Sequence, residues 1–193
     1  MSGVNSVLSV LFLCFLLASC GEEKTAKTEE AVEAEKTIQE RAEEGNADAQ
    51  LQLGHLYESG EGVPKDYAEA AKWYRKAAEQ GIAEAQLYLG CSYATGRGVP
   101  KDSAEHLNWI RKAAQQGLAD AQVQLGLLYE IGQGFPKDFA EAYMWISLAA
   151  AGGNKEYGEL RDLLEKRMTG EQLIEGQKLT EEWLERKAKE PEE

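Results

Sequence analysis

Ala47-Asp48-Ala49-Gln50-Leu51-Gln52-Leu53-Gly54 returns as Ala83-Glu84-Ala85-Gln86-Leu87-Tyr88-Leu89-Gly90, and again as Ala119-Asp120-Ala121-Gln122-Val123-Gln124-Leu125-Gly126. A tyrosine follows each copy (Tyr57, Tyr93, Tyr129), then a Gly-x-Gly-x-Pro-Lys-Asp loop ending at Asp66, Asp102 and Asp138. Tryptophans come next at Trp73, Trp109 and Trp145. Ala77-Ala78, Ala113-Ala114 and Ala149-Ala150 close the units, with Gly81, Gly117 and Gly153 behind them, and every offset is 36 residues. A fixed period of this length marks stacked supersecondary units, none of which buries its apolar face alone.

Each unit reads as two antiparallel helices. Helix A runs over about 47–58, with Ala47, Gln50, Leu53, Gly54 and Tyr57 on one face. Gly60 supplies a left-handed residue to end it, and Pro64 holds Val63 out of helical geometry. Asp66 stands at the N-cap of helix B, about 67–79, with Glu69 three residues on, as in a capping box. Asp102/Glu105 and Asp138/Glu141 repeat the pattern. Helix B turns Ala70, Trp73 or Tyr74, and Ala77 inward. Gly54, Gly90 and Gly126 each cost helix A about 1 kcal/mol against Ala. Close approach of a neighbouring helix, with the Trp of helix B filling the adjacent volume, offsets that cost. On this reading Gly90→Leu unfolds the array, whereas Gln86→Glu alters only the surface.

The pattern A-x-A-Q-x-x-L-G-x-x-Y-x-x-G-x-G, followed by D-x-x-x-A-x-x-W-x-x-K-A-A-x-x-G, resembles the Sel-one-like repeat (SLR) family. The likeness covers Ala47 to Gly153 in three copies; the third departs late, at Ser147-Leu148 and Gly152-Gly153-Asn154. The resemblance implies an all-α fold, a right-handed α/α superhelix of helix–turn–helix units related to tetratricopeptide repeats. It also implies an adaptor role. In the tetratricopeptide relatives, helix A lines a concave face. Carried over, that face is Asp48, Leu51, His55 and Glu58; Glu84, Leu87, Cys91 and Ala94; Asp120, Val123, Leu127 and Glu130. Leu51, Leu87, Val123 and Leu127 then form an exposed apolar strip with acidic edges, suited to a peptide or protein partner that is apolar with basic residues.

The flanks read as ends of the stack. Residues 31–46 look like a lone helix B, the repeats occupy 47–82, 83–118 and 119–154, and 155–190 looks like a polar capping hairpin. Within it, Thr169-Gly170-Glu171-Gln172 reads as a further capping box. Residues 20–30 are a polar tether.

Upstream, residues 1–21 carry no Lys, Arg, Asp or Glu, and 7–17 is an apolar run interrupted by Ser9. That length suits the core of an export signal and is short for a spanning helix. Leu17-Ala18-Ser19-Cys20 resembles the bacterial lipobox, which implies a signal peptide over 1–19 and lipid on Cys20. The leader start lacks the usual basic residue. Gly21 after the cysteine implies the outer membrane in a Gram-negative cell. The expected address is therefore an exported lipoprotein on the periplasmic face of the outer membrane, touching the membrane through its lipid alone.

Lys and Arg number 21 and Asp and Glu 34, a net charge of −13. Such a surface repels phosphate backbones, so nucleic acid is not an expected partner. Cys14 leaves with the leader and Cys20 takes lipid, so Cys91 is alone and no intrachain disulfide is expected. His55 and His106 stand on different helix types, without metal-ligand spacing. Neither the Gly-x-Gly loops nor the serines sit in phosphate-binding or Ser-x-x-Lys context. The expectation is a non-catalytic interaction scaffold with no cofactor, no metal and no catalytic residue. Two rivals stand beside it: a cell-wall or β-lactam-directed enzyme, since some cysteine-rich relatives bind penicillin, and a self-associating structural protein of the envelope.

Overall fold

The structure, a computed structural model, describes residues 37–134 and 136–189. The leader, Cys20 and the tether lie outside the described residues. A helical stretch α1 (37–43) precedes α2 (Ala47–Ser59), α3 (Tyr67–Glu79), α4 (Ala83–Thr95), α5 (Ser103–Gln115), α6 (Ala119–Ile131), α7 (Phe139–Ala150), α8 (Lys155–Glu165) and α9 (Gly170–Lys189). The described residues contain no strand. From α2 to α8 consecutive helices pack on one another, giving an all-α solenoid.

The glycines of helix A mark close approaches between paired helices, though not against tryptophan. A Cβ at Gly54 would stand 2.5 Å from the Tyr74 ring. At Gly90 it would stand 2.9 Å from Ile110 Cδ1, and at Gly126 2.6 Å from Ile146 Cγ1. The residue after each Trp therefore fills the volume above the glycine. The tryptophans are themselves buried, Trp73 in the cluster of the first helices, Trp109 and Trp145 in those of the next units.

Helix ends follow the sequence with one correction. Asp66, Asp102 and Asp138 cap α3, α5 and α7 by accepting from two backbone N–H groups each. The reciprocal half of the expected capping box does not form there. The N–H of each capping Asp is already taken by the carbonyl of the tyrosine in the preceding helix, Asp66 by Tyr57 at 2.9 Å, Asp102 by Tyr93 and Asp138 by Tyr129. Glu69 turns instead to Lys72. At Thr169, with no such carbonyl bond, the box closes both ways: Thr169 N–H donates to Gln172 Oε1 and Gln172 N–H to Thr169 Oγ1.

The last two helices do not pair with each other as a hairpin of the repeat does. Both pack on α7. α8 buries only Leu164, too little to hold a partner. α9 carries Gly176 against α7, where a Cβ would stand 2.9 Å from Tyr143 Cδ1. It thus reuses the glycine approach of helix A.

Candidate functional site

The helix A residues expected to line a concave face divide by burial. Asp48, Glu84 and Asp120 are exposed, and His55, Glu58, Cys91, Ala94 and Val123 are half-buried. Leu51 and Leu87, expected on the surface, are each only 9% exposed. Leu51 packs with Tyr74, Leu89 and Trp109, and Leu87 with Ile110, Leu125 and Trp145. They belong to the seam between units, because the next helix A closes over them. Glu130 is also buried, and the Arg167 guanidinium donates to it. It is therefore part of the C-terminal packing and not a free acidic edge.

One compact polar cluster links the first two units. The Tyr74 hydroxyl donates to Glu58 Oε2 at 2.6 Å. With that proton committed, its oxygen accepts from His55 Nδ1 at 3.0 Å, which places a proton on Nδ1. Tyr88 of α4 stacks on Tyr74 with centroids 5.2 Å apart and meets the His55 ring edge-on at 4.5 Å. Burial, then the Glu58 carboxylate, holds the Tyr74 hydroxyl far above the ordinary phenol range. Sequence reasoning placed His55 and Glu58 together but missed Tyr74 and Tyr88. The signal was present: Tyr74 stands where Ile110 and Ile146 stand, and a phenol in an aliphatic slot needs a polar partner.

The other histidine, on α5, is buried. His106 Nδ1 donates to the Gly90 carbonyl at 2.9 Å. Cys91 Sγ lies 3.8 Å from the side-chain amide of Gln124, and burial raises its thiol pKa while that amide opposes the rise. A half-buried thiol whose pKa is raised is a poor nucleophile. Among the described residues no group of three or more His, Cys, Asp or Glu could hold a metal ion. No helix among them is long and apolar enough to cross a membrane.

Exposed large apolar side chains stand on α8 (Leu163), on α9 (Ile174, Leu184) and, on the helix A series, on α6. Leu127 is 36% and Ile131 63% exposed, and the half-buried Val123 precedes them at the same four-residue spacing. The stripe lies between two contacts to the C-terminal segment. At one end the Tyr157 hydroxyl donates to Asp120, and at the other Arg167 donates to Glu130. Exposed acids Asp48 and Glu84 continue the helix A series away from it.

The family model described as Sel1 repeat matches residues 47–82, 83–118 and 119–154, more than half of the chain. The chain belongs to the Sel1 repeat family. Among solved structures it is similar to a protective antigen present in uropathogenic Escherichia coli strains that displays an SLR fold. The two are 33% identical with a TM-score of 0.59, over 79% of this chain and 40% of the other. It is also similar to a Sel1 repeat protein from Oxalobacter formigenes, 39% identical with a TM-score of 0.59, over 68% of this chain and 56% of that one. The chain thus spans about half the length of these relatives. No curated protein matches it. Sel1 repeat proteins are generally protein-interaction scaffolds and typically non-catalytic.

Proposed function

We propose that this Sel1 repeat chain is an adaptor of the bacterial envelope, anchored by lipid on Cys20 and binding a peptide or protein through the helix A side of the solenoid. The observation that carries the reading is the α6 stripe of Leu127 and Ile131, which no described helix covers to burial. A rigid stack gains nothing in folding from exposing these two side chains, whereas an apolar partner face recovers their transfer energy. The exposed Asp48, Glu84 and Asp120 on the same series of helices favour a partner that adds basic residues to that apolar face. They also make the association weaken as salt rises.

The lipid half of the proposal rests on the Leu17-Ala18-Ser19-Cys20 motif. Mass spectrometry of the mature protein tests it directly: an unmodified Cys20 would remove it. The surface half is tested by affinity capture from detergent-solubilised envelope with the native chain and with a Leu127→Asp/Ile131→Asp variant. Loss of one specific captured protein supports the surface, and an identical captured set removes it. A partner in which an acidic patch replaces the basic one would overturn the charge assignment while leaving the apolar contact standing.

A further inference from the structure

The three copies of helix B differ in what lies on one face. On α7 that face is covered by α9. Gly176 comes against Ala140 and Tyr143, where a Cβ would stand 2.9 Å from Tyr143 Cδ1 and 3.2 Å from the Ala140 carbonyl oxygen. Leu179 and Trp183 of α9 pack on the cluster that holds Met144, Trp145 and Leu148, and Glu181 lines a small cleft with Ser147. On α5 the place of Tyr143 is taken by Leu107, which reaches the next loop: a Cβ at Gly134 would stand 3.2 Å from Leu107 Cδ2. On α3 the same place holds Ala71, and the face borders a cleft of about 500 Å³. Its lining residues Ala68, Ala71, Lys72, Arg75 and Lys76 are the equivalents, two repeats earlier, of Ala140, Tyr143, Met144, Ser147 and Leu148. Val99 and Pro100 of the following loop form the other wall.

The molecule itself thus shows what covers such a face: one helix, brought in close. The side chains that differ define what suits the α3 copy. Ala71 in place of Tyr143 removes the ring against which Gly176 is fitted, so a covering helix has room there for a large apolar residue. Lys72 and Lys76 in place of Met144 and Leu148, and Arg75 in place of Ser147, keep apolar stems but add charged heads. All three are exposed. Lys72 pairs with Glu69. Arg75 donates to the Tyr93 hydroxyl, and the Lys76 ammonium lies 3.7 Å from the Trp73 ring centre. These last two cations are held by aromatic groups and make no ion pair among the described residues. A second copy's α9 does not suit the cleft, because its Leu179 and Trp183 would meet the two lysine heads.

We propose that the α3 cleft receives an amphipathic helix of a partner protein. That helix carries a large apolar residue over Ala68 and Ala71, at the position of Gly176 in α9. It carries Asp or Glu at the positions of Leu179, Glu181 and Trp183, against Lys72, Arg75 and Lys76. The cleft is built on helix B and the surface of Leu127 and Ile131 on helix A, so the two sites are separable.

A labelled peptide of residues 170–189 carrying Gly176→Leu, Leu179→Glu and Trp183→Glu tests this. It is stapled as a helix between positions 178 and 182 and titrated with the full chain in detergent, with anisotropy as the readout. The comparisons are the same stapled peptide with Leu179→Gln and Trp183→Gln in place of the glutamates, and the stapled peptide of native sequence. The glutamate peptide is expected to bind about tenfold more tightly than either, its margin over the glutamine peptide shrinking at high salt. Arg75→Gln/Lys76→Gln in the chain is expected to lose about tenfold. Ala68→Phe, at an exposed position, fills the cleft from its rim and is expected to abolish binding, whereas Lys166→Gln at the exposed end of α8 leaves it unchanged. Thermal melts show that each variant is folded. Equal binding of the glutamate and glutamine peptides overturns the proposal, as does undiminished binding to the Ala68→Phe chain or the absence of saturable binding. Tighter binding of the native-sequence peptide overturns it in favour of a second copy of this chain.

Discussion

The Gln86 side-chain amide donates to the Ala78 carbonyl at 3.1 Å, tying helix A of the second unit to the last turn of the helix before it. Gln50 does the same to Ala42 at 3.0 Å and Gln122 to Ala114 at 3.2 Å. The other end of the amide is used as well: Gln80 donates to Gln50 Oε1, and Gln116 to Gln86 Oε1, each at 2.8 Å. Each repeated glutamine thus satisfies a carbonyl that the helix terminus leaves open, and Gln50 and Gln86 also accept from the following turn. Gln86 is therefore buried rather than superficial, and Gln86→Glu is not a surface change. It removes the donor to Ala78 and puts a carboxylate against helix-end carbonyls. Urea unfolding is expected to show a loss of about 2–3 kcal/mol. Gln52→Glu, exposed on the equivalent helix of the first unit, is expected to stay within about 0.5 kcal/mol of the parent.

Alanine is ordinarily better than glycine inside a helix by about 1 kcal/mol. At Gly54 the sign reverses, because the new Cβ would stand 2.5 Å from two atoms of the Tyr74 ring. That ring is fixed by Glu58, His55 and Tyr88 and cannot turn aside. Gly54→Ala is expected to destabilise by about 1–3 kcal/mol. Gly90→Ala meets mainly the flexible tip of Ile110, at 2.9 Å, and is expected to cost less. Thermal melts of the two variants check the order; a more stable Gly54→Ala would refute the close-approach argument.

The solenoid was legible because its determinants are local and written three times: the Gly-x-Gly loop, the capping Asp and the buried Trp. What was not legible depends on which neighbour claims a group first. Nothing in Asp66-x-x-Glu69 shows that the Asp66 N–H is already taken by the Tyr57 carbonyl nine residues earlier. The concave positions carried over from the tetratricopeptide relatives put Leu51 and Leu87 on the surface. Their burial is a property of the stack, since the helix that covers them lies about 36 residues further on. The non-repeating end was the least readable. Gly176 is a lone glycine in a polar helix, and only its contact with Tyr143 shows why it is there.

Tyr74 sets a limit on alkaline stability. Burial and the Glu58 carboxylate raise its pKa in the folded state well above the value near 10 of an unfolded tyrosine. A raised folded pKa means that the contribution is fully present below pH of about 10 and is lost as pH rises beyond it, since the unfolded chain then releases the proton more readily. Unfolding free energy is expected to fall above pH of about 10, and less steeply in Tyr74→Phe, which has no phenol to ionise. The same variant is expected to be less stable at neutral pH, because Glu58 and His55 lose their shared partner. An unchanged alkaline slope would assign the loss to Tyr88, Tyr129 or Tyr157, whose pKa values are also raised.

The helix A residues separate into those that fold the chain and those left for a partner, and substitution distinguishes them. Leu87 is buried between α4, α5 and the next unit, so Leu87→Ala removes packing that the seam cannot recover and is expected to cost about 2–5 kcal/mol. Ile131 is 63% exposed, so Ile131→Asp alters little that the isolated chain uses, and its melt is expected to match the parent within about 0.5 kcal/mol. Capture of a partner should show the reverse dependence, lost in Ile131→Asp at temperatures where the chain remains folded. A comparable melt shift in both variants would mean that Ile131 is packed in solution, and α6 would then offer no free surface.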